Sequence, residues 1–143
     1  MNPLAIAVAI LTGLLSGDTP QSQRSQTFYH YGYASQAPRF SGGMDPGSYG
    51  TSDPTIVSGS AAQQLYALPP QNPLDTPPDA LYTITAPPGT PVQNLGPVGP
   101  TTFPGVFNPT GQDVTRTGGG NEVKFPNGTP PGSVSGSGRL PGC

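Results

Sequence analysis

The sequence predicts a chain of mostly irregular, extended coil, with a short apolar N-terminal helix, a few short strands, one further short helix and no independent globular core. Gly and Pro contribute 21 residues each to a chain of 143, a share typical of low-complexity chains. Leu, Ile, Val and Phe together supply only about 19% of the residues, which is below the usual level for a packed core. Ordering each residue costs roughly 1–2 kcal/mol, more than burial of so few large apolar side chains would return.

Charged residues are equally scarce. They make up 8% of the chain, the formal net charge is −2, and none lies between Asp79 and Asp113. Nucleic acids and acidic membranes attract basic surfaces, so specific nucleic-acid binding is not expected. Such a chain instead suits an extended path along partner protein subunits, bonded through its Ser, Thr, Gln and Asn residues.

The segment NPLAIAVAILTGLLSGD, residues 2–18, is the one long apolar stretch. Asn2 suits the N-cap position, Pro3 the first helical position and Gly17 the C-terminal stop, so we predict an anchor helix over residues 3–16. Because the predicted helix is apolar all round, it should be buried in a partner or self-associated in a ring. The side chains assigned to this contact are Leu4, Ile6, Val8, Ile10, Leu11, Leu14 and Leu15.

Two other interpretations of this helix remain open. A secretory signal peptide would have the right apolar length, but Lys and Arg are absent before Arg24, so the usual basic leader is missing. A transmembrane span would need about 30 Å of helix, whereas fourteen residues reach only about 21 Å. Shallow or oligomeric membrane contact through residues 3–16 therefore stays an alternative to burial in protein.

Residues 17–53 read as a polar linker interrupted by the aromatic stretch TFYHYGY, residues 27–33. Aromatic side chains bury a large area at low cost in side-chain entropy. We therefore expect an aromatic patch that docks on a partner, with an edge strand as the alternative. The patch consists of Phe28, Tyr29, Tyr31 and Tyr33.

Residues 54–86 could form a small local unit. The stretch SGSAAQQLYAL, residues 58–68, predicts a short helix with Ser60 as its N-cap, stopped by Pro69 and Pro70. TIVS at 55–58 and ALYTITA at 80–86 would pack against this helix.

Residues 87–143 are predicted to form a Pro/Gly-rich extended strap and a tail. From Pro69 to Pro109 proline is so frequent that a polyproline II path of about 3.1 Å per residue is expected, long enough to cross subunit boundaries. Phe103 and Phe107 are the aromatic side chains assigned to partner contact in this strap. One possible strand is NEVKF, residues 121–125.

The sequence offers no evident catalytic, cofactor or metal site. His30 is the only histidine and Cys143 the only cysteine, and no motif supplies a nucleophile to go with His30. We interpret His30 as a member of the aromatic patch. Cys143 would be a free thiol or would pair between copies. We therefore expect a protein that is not an enzyme and needs no cofactor.

The apolar PLAIAVAILTGLL followed by Gly/Pro/Ser-rich coil resembles, in composition, the small accessory structural proteins of tailed-phage virions. This resemblance implies a head–tail connector, a tail-lumen component or an internal plug or valve, present in several copies within a symmetric assembly. A membrane-active protein ejected from the virion and a secreted low-complexity surface protein are the alternatives, the second with an extracellular location.

Overall fold

The computed structural model of the protein describes residues 24–142, and these form mostly antiparallel β-structure, with 33% strand and 16% helix. The prediction of an irregular chain without a core is therefore wrong. The predicted helix over residues 3–16 and Cys143 lie outside the described residues.

The strands of the described residues are short and follow one another in chain order with one α-helix between the second and the third. The strands are β1 (Gln26–Gly32), β2 (Ser48–Gly50), β3 (Ala80–Ala86), β4 (Gln93–Pro97), β5 (Thr101–Phe103), β6 (Val114–Arg116), β7 (Asn121–Phe125) and β8 (Val134–Arg139), and the helix is α1 (Gly59–Leu65). Single 3-10 turns cover Ala34–Gln36, Arg39–Gly42 and Gly105–Phe107.

These strands make three small antiparallel sheets, in the orders β1-β3-β8, β2-β7-β4 and β5-β6. The first two sheets are joined at Tyr29 and Thr51, whose backbone groups exchange hydrogen bonds of 2.8 and 2.9 Å. Strands β7 and β8, from the predicted strap and tail, pair with β2 and β3, which come earlier in the chain. The first two sheets are thus linked to each other, and β5-β6 forms a separate two-stranded sheet.

Strand β3 is the central strand of the first sheet, and its side chains are buried on both faces of that sheet. Ala80, Tyr82 and Ile84 belong to a cluster that includes Phe28 and Phe125, whose rings meet edge to face at 5.2 Å. Leu81 points to the other face, into a second cluster. That cluster joins β3 to α1 and consists of Tyr31, Ala62, Tyr66, Leu81 and Leu140.

Helix α1 confirms the prediction of a short helix within residues 58–68, although the helix is shorter than that stretch. Helix α1 begins after Ser58, whose hydroxyl accepts a hydrogen bond from the Ala61 amide at 3.2 Å. The N-cap is therefore Ser58 and not Ser60. The prolines at 69 and 70 are not what ends the helix, because it stops at Leu65 and Ala67 takes a positive φ of 48°.

The end of α1 is closed by the glycine triplet at 118–120. The Gly118 and Gly120 amides donate to the carbonyl oxygens of Gln64 and Leu65 at 2.7 and 2.9 Å. A Cβ on Gly120 would lie 2.5 Å from the Tyr66 ring. Glycine is required here because the backbone itself packs against the helix.

The predicted polyproline strap is also wrong over part of its length. Residues 93–97 and 101–103 form β4 and β5, which pair with β7 and β6. The strand predicted at NEVKF, residues 121–125, is confirmed as β7. ALYTITA at 80–86, for which the prediction is packing against the short helix, forms β3, and its Leu81 shares a cluster with Ala62 of α1. Composition misled because short strands need few apolar residues when the partner strands are distant in sequence and each inward side chain is buried completely.

Candidate functional site

The aromatic residues predicted to dock on a partner are largely used inside the fold. Phe28 and Tyr31 are buried, one on each face of β1. Tyr29 packs against the second cluster, and the Tyr33 hydroxyl donates to the Thr76 carbonyl oxygen at 2.5 Å. The edge-strand alternative describes this stretch better, because β1 is an edge strand of its sheet, and an isolated β-bridge at Tyr29 connects it to the next sheet.

A cleft of about 380 Å³ opens beside β1, and we call it the aromatic cleft. One wall comes from residues 30–49 and the other from residues 63–78, with single contributions from β5 and β7. The aromatic and charged residues that line it include His30, Tyr33, Arg39, Asp45, Tyr49, Phe103 and Glu122. The predicted site residues Tyr31, Tyr33 and Phe103 are thus brought to one place.

The ring of His30 has a defined protonation state in this cleft. Its Nδ1 lies 2.8 Å from the carbonyl oxygen of Tyr49. Because a carbonyl oxygen can only accept, Nδ1 carries the proton and Nε2 of the neutral ring is an acceptor. Burial lowers the pKa of His30, the bond to Tyr49 partly opposes this change, and the nearby positive charge of Arg39 lowers the pKa further.

Of the other charged residues that line the cleft, two form an ion pair with each other and one does not form any within residues 24–142. Arg39 donates from Nε and a terminal nitrogen to one Asp45 oxygen, at 3.2 and 2.8 Å. Glu122 forms neither an ion pair nor a side-chain hydrogen bond with any other residue in the range 24–142. Burial raises the pKa of the Glu122 carboxyl above its ordinary value.

One wall of the cleft is fixed by an ion pair behind it. A terminal nitrogen of Arg116 lies 2.7 Å from Asp75, and its Nε donates to the Leu68 carbonyl oxygen at 3.0 Å. Gln63 also donates to the Asp75 carboxylate, at 3.2 Å. These bonds tie the proline-rich loop to α1 and β6.

The connection between β5 and β6 forms a second feature, which we call the hairpin tip, residues 104–113. Its side chains of Val106 and Phe107 are 85% and 86% exposed. Phe107 was one of the side chains predicted to contact a partner, and the structure leaves it on the surface. Apolar neighbours this exposed are typical of interaction sites.

The hairpin tip is held in shape by its own polar groups. The Asn108 amide nitrogen lies 3.0 Å from each of the carbonyl oxygens of Phe103, Pro104 and Gln112. The Asp113 carboxylate accepts from the Gly105 amide at 2.9 Å. Val106 and Phe107 are thus presented on an ordered loop.

Sequence reasoning missed Glu122, Tyr49 and the Arg39–Asp45 pair. Alternation in β7 was a usable signal, because Val123 and Phe125 are buried and Glu122 and Lys124 therefore point the other way. The sequence does not predict that Glu122 and His30 line the same cleft, because the strands that carry them are far apart along the chain.

Within residues 24–142 no group of His, Cys, Asp or Glu side chains is suited to hold a metal ion. The helices of that range include none long and apolar enough to cross a membrane. Comparisons of the chain with models of protein families, with curated proteins and with solved structures gave no match.

Proposed function

We propose that the protein is a non-catalytic structural component of a large multi-subunit assembly, and that its hairpin tip docks on a neighbouring protein subunit. The exposure of Val106 and Phe107 supports this proposal above all. An exposed aromatic side chain on an ordered loop can be buried at an interface at low entropic cost, because the loop is already in its bound shape.

Charge supports the same role. The hairpin tip continues an uncharged stretch that ends only at Asp113, so no ion has to be desolvated when Phe107 enters an apolar recess. Residues 24–142 form hydrophobic clusters from their own side chains. Contact with a partner would therefore attach the protein to the assembly and would not be needed to build its core. Residues 3–16 are proposed as a second attachment point.

The class of assembly we propose is a phage virion, in which the protein serves as a connector, tail-lumen or internal plug component in several copies. The support is the composition of the chain, in which an apolar N-terminal segment precedes Gly- and Pro-rich sequence. Isolation of the native protein tests it. We expect a stoichiometric particle that contains the full chain, and recovery only as a free monomer would refute this role.

The docking role of the hairpin tip is tested by the double variant Val106→Ser with Phe107→Ser in the full chain. Both side chains are exposed, so we expect an unchanged melting temperature and loss of the chain from the particle in a sedimentation assay. Ile56→Ser, at a 52% exposed position, is the matched control and should be incorporated normally. Normal incorporation of the double variant would refute the docking role.

A membrane-active protein ejected from the virion is a second candidate, because the same exposed pair and the apolar segment 3–16 could enter a lipid interface. Flotation of the full chain with neutral liposomes separates the two functions. The structural role predicts that the chain stays at the bottom of the gradient.

A further inference from the structure

We propose that the aromatic cleft binds a guanidinium group, supplied by an arginine side chain of a partner protein. The volume of about 380 Å³ lies in the range of about 300–1,000 Å³ that is usual for ligand sites. The inference rests on the proposed function only for the source of the arginine, since a partner subunit would supply it.

Two acceptors that line the cleft, on His30 and Glu122, have no donor among residues 24–142. His30 Nε2 is an acceptor because Nδ1 carries the proton, and no residue between 24 and 142 donates to Nε2. When ionised, the Glu122 carboxylate can only accept hydrogen bonds, and it likewise has no donor there. A guanidinium group matches both, because it carries five N–H donors and no acceptor.

The charges of the cleft favour a bound cation. Asp45 already has Arg39 as its counter-ion at 2.8 Å, and His30 is neutral at ordinary pH. Among the charged residues that line the cleft, Glu122 is therefore the one without a counter-ion, and burial raises the pKa of its carboxyl. A bound cation would remove this imbalance.

The rings that line the cleft favour guanidinium over ammonium. Tyr33, Tyr49 and Phe103 are among the residues that line the space, and the Tyr49 ring already has the Lys124 ammonium 5.8 Å from its centroid. A guanidinium plane can stack on such a ring while its edge bonds a carboxylate, which an ammonium group cannot do.

Calorimetric titration of the full chain with N-acetyl-arginine amide at pH 7 tests the proposal. We expect saturable binding, with at least tenfold weaker binding of the uncharged citrulline analogue. The lysine analogue should also bind more weakly than the arginine compound. Equal binding of citrulline would overturn the charge match, and equal binding of lysine would overturn the preference for guanidinium.

Glu122→Gln keeps the size of the side chain and removes its charge, so we expect affinity to fall at least tenfold without loss of folding. Asp53→Asn, at an exposed acidic residue that does not line the cleft, is the matched control and should bind as the original chain does. Unchanged affinity in the Glu122 variant would refute the site.

Two readouts separate this inference from the proposed function. The double variant at Val106 and Phe107 should bind the arginine compound normally even where it fails to enter a particle. The pKa of Glu122, followed by NMR in the free chain, should lie above its ordinary value of 4.5 and should fall when the compound is added. A free-chain pKa below 4.5 would show that an internal cation already fills the site.

Discussion

At the scale of single residues, the two ion pairs of the described residues differ in how much they contribute to stability. The side chains of Arg39 and Asp45 are 65% and 59% exposed, whereas those of Arg116 and Asp75 are 4% and 21% exposed. Exposed pairs contribute little to stability, while a buried pair is costly to break.

We predict that Arg116→Met lowers the free energy of unfolding by about 3 kcal/mol, because Asp75 then loses its counter-ion inside the fold. Arg39→Met is the matched control and should change stability by less than about 1 kcal/mol. Urea denaturation measures both variants. Equal losses in the two variants would contradict the structural role given to Arg116.

His30 gives a prediction for pH. Its pKa in the fold lies below the unfolded value of 6.5, mainly because of burial, so the unfolded chain binds more protons as pH falls. The stability contributed by neutral His30 is complete above pH 6.5 and is lost as pH drops toward the lowered value.

His30→Asn keeps a side-chain donor for the Tyr49 carbonyl oxygen and does not titrate. We therefore expect the original chain to lose more stability than this variant between pH 7 and pH 5, as measured by thermal melting at each pH. Parallel curves would mean that His30 is not titrating in this range.

At the scale of elements, local sequence explains the helix and the strands but not their limits. Ser58 and Ser60 both lie near the start of the helix, and by residue type both suit an N-cap. The structure decides between them, because the Ala61 amide donates to the Ser58 hydroxyl and Ser60 lies inside α1. Gly59, between the two serines, packs so closely on the loop that a Cβ there would lie 1.9 Å from the Pro78 carbonyl oxygen.

Substitution of the two serines tests this choice. Ser58→Ala should destabilise the protein by about 1 kcal/mol, because the Ala61 amide loses its acceptor. Ser60→Ala should cost less than about 0.5 kcal/mol, since alanine is a good helix former. Chemical denaturation compares the two, and the reverse order would restore Ser60 as the cap.

At the scale of the whole molecule, β3 is the strand that joins the two hydrophobic clusters of residues 24–142. It carries side chains of both hydrophobic clusters on opposite faces, and its partners β1 and β8 come from opposite ends of that range. Loss of packing on one face should therefore loosen the other face as well.

We predict that the chain unfolds in one cooperative step and that Ile84→Ala moves the whole transition. Ile84 is fully buried, so the variant should lose about 3 kcal/mol. The tyrosine signal of the stacked Tyr31–Tyr66 pair, on the other face of β3, should shift together with the far-UV signal. Separate shifts of the two signals would contradict a shared core.

The sequence by itself determined where β7 and the short helix α1 lie, and that Val106 and Phe107 belong to an uncharged stretch. Local alternation, a capping serine and the absence of charge are enough for these, because each depends on neighbours within a few residues. The aromatic stretch around Tyr31 was found, but its burial was not.

Tertiary structure alone decided that the chain has a core. The inward side chains of β1 become buried only when β3, about fifty residues later, lies beside them, with Gln26 opposite Ala86. The long-range pairing of β7 with β2 likewise brings Glu122 to the cleft that His30 lines. Composition counts apolar side chains, whereas burial depends on which distant backbones can approach, and glycines such as Gly120 permit that approach.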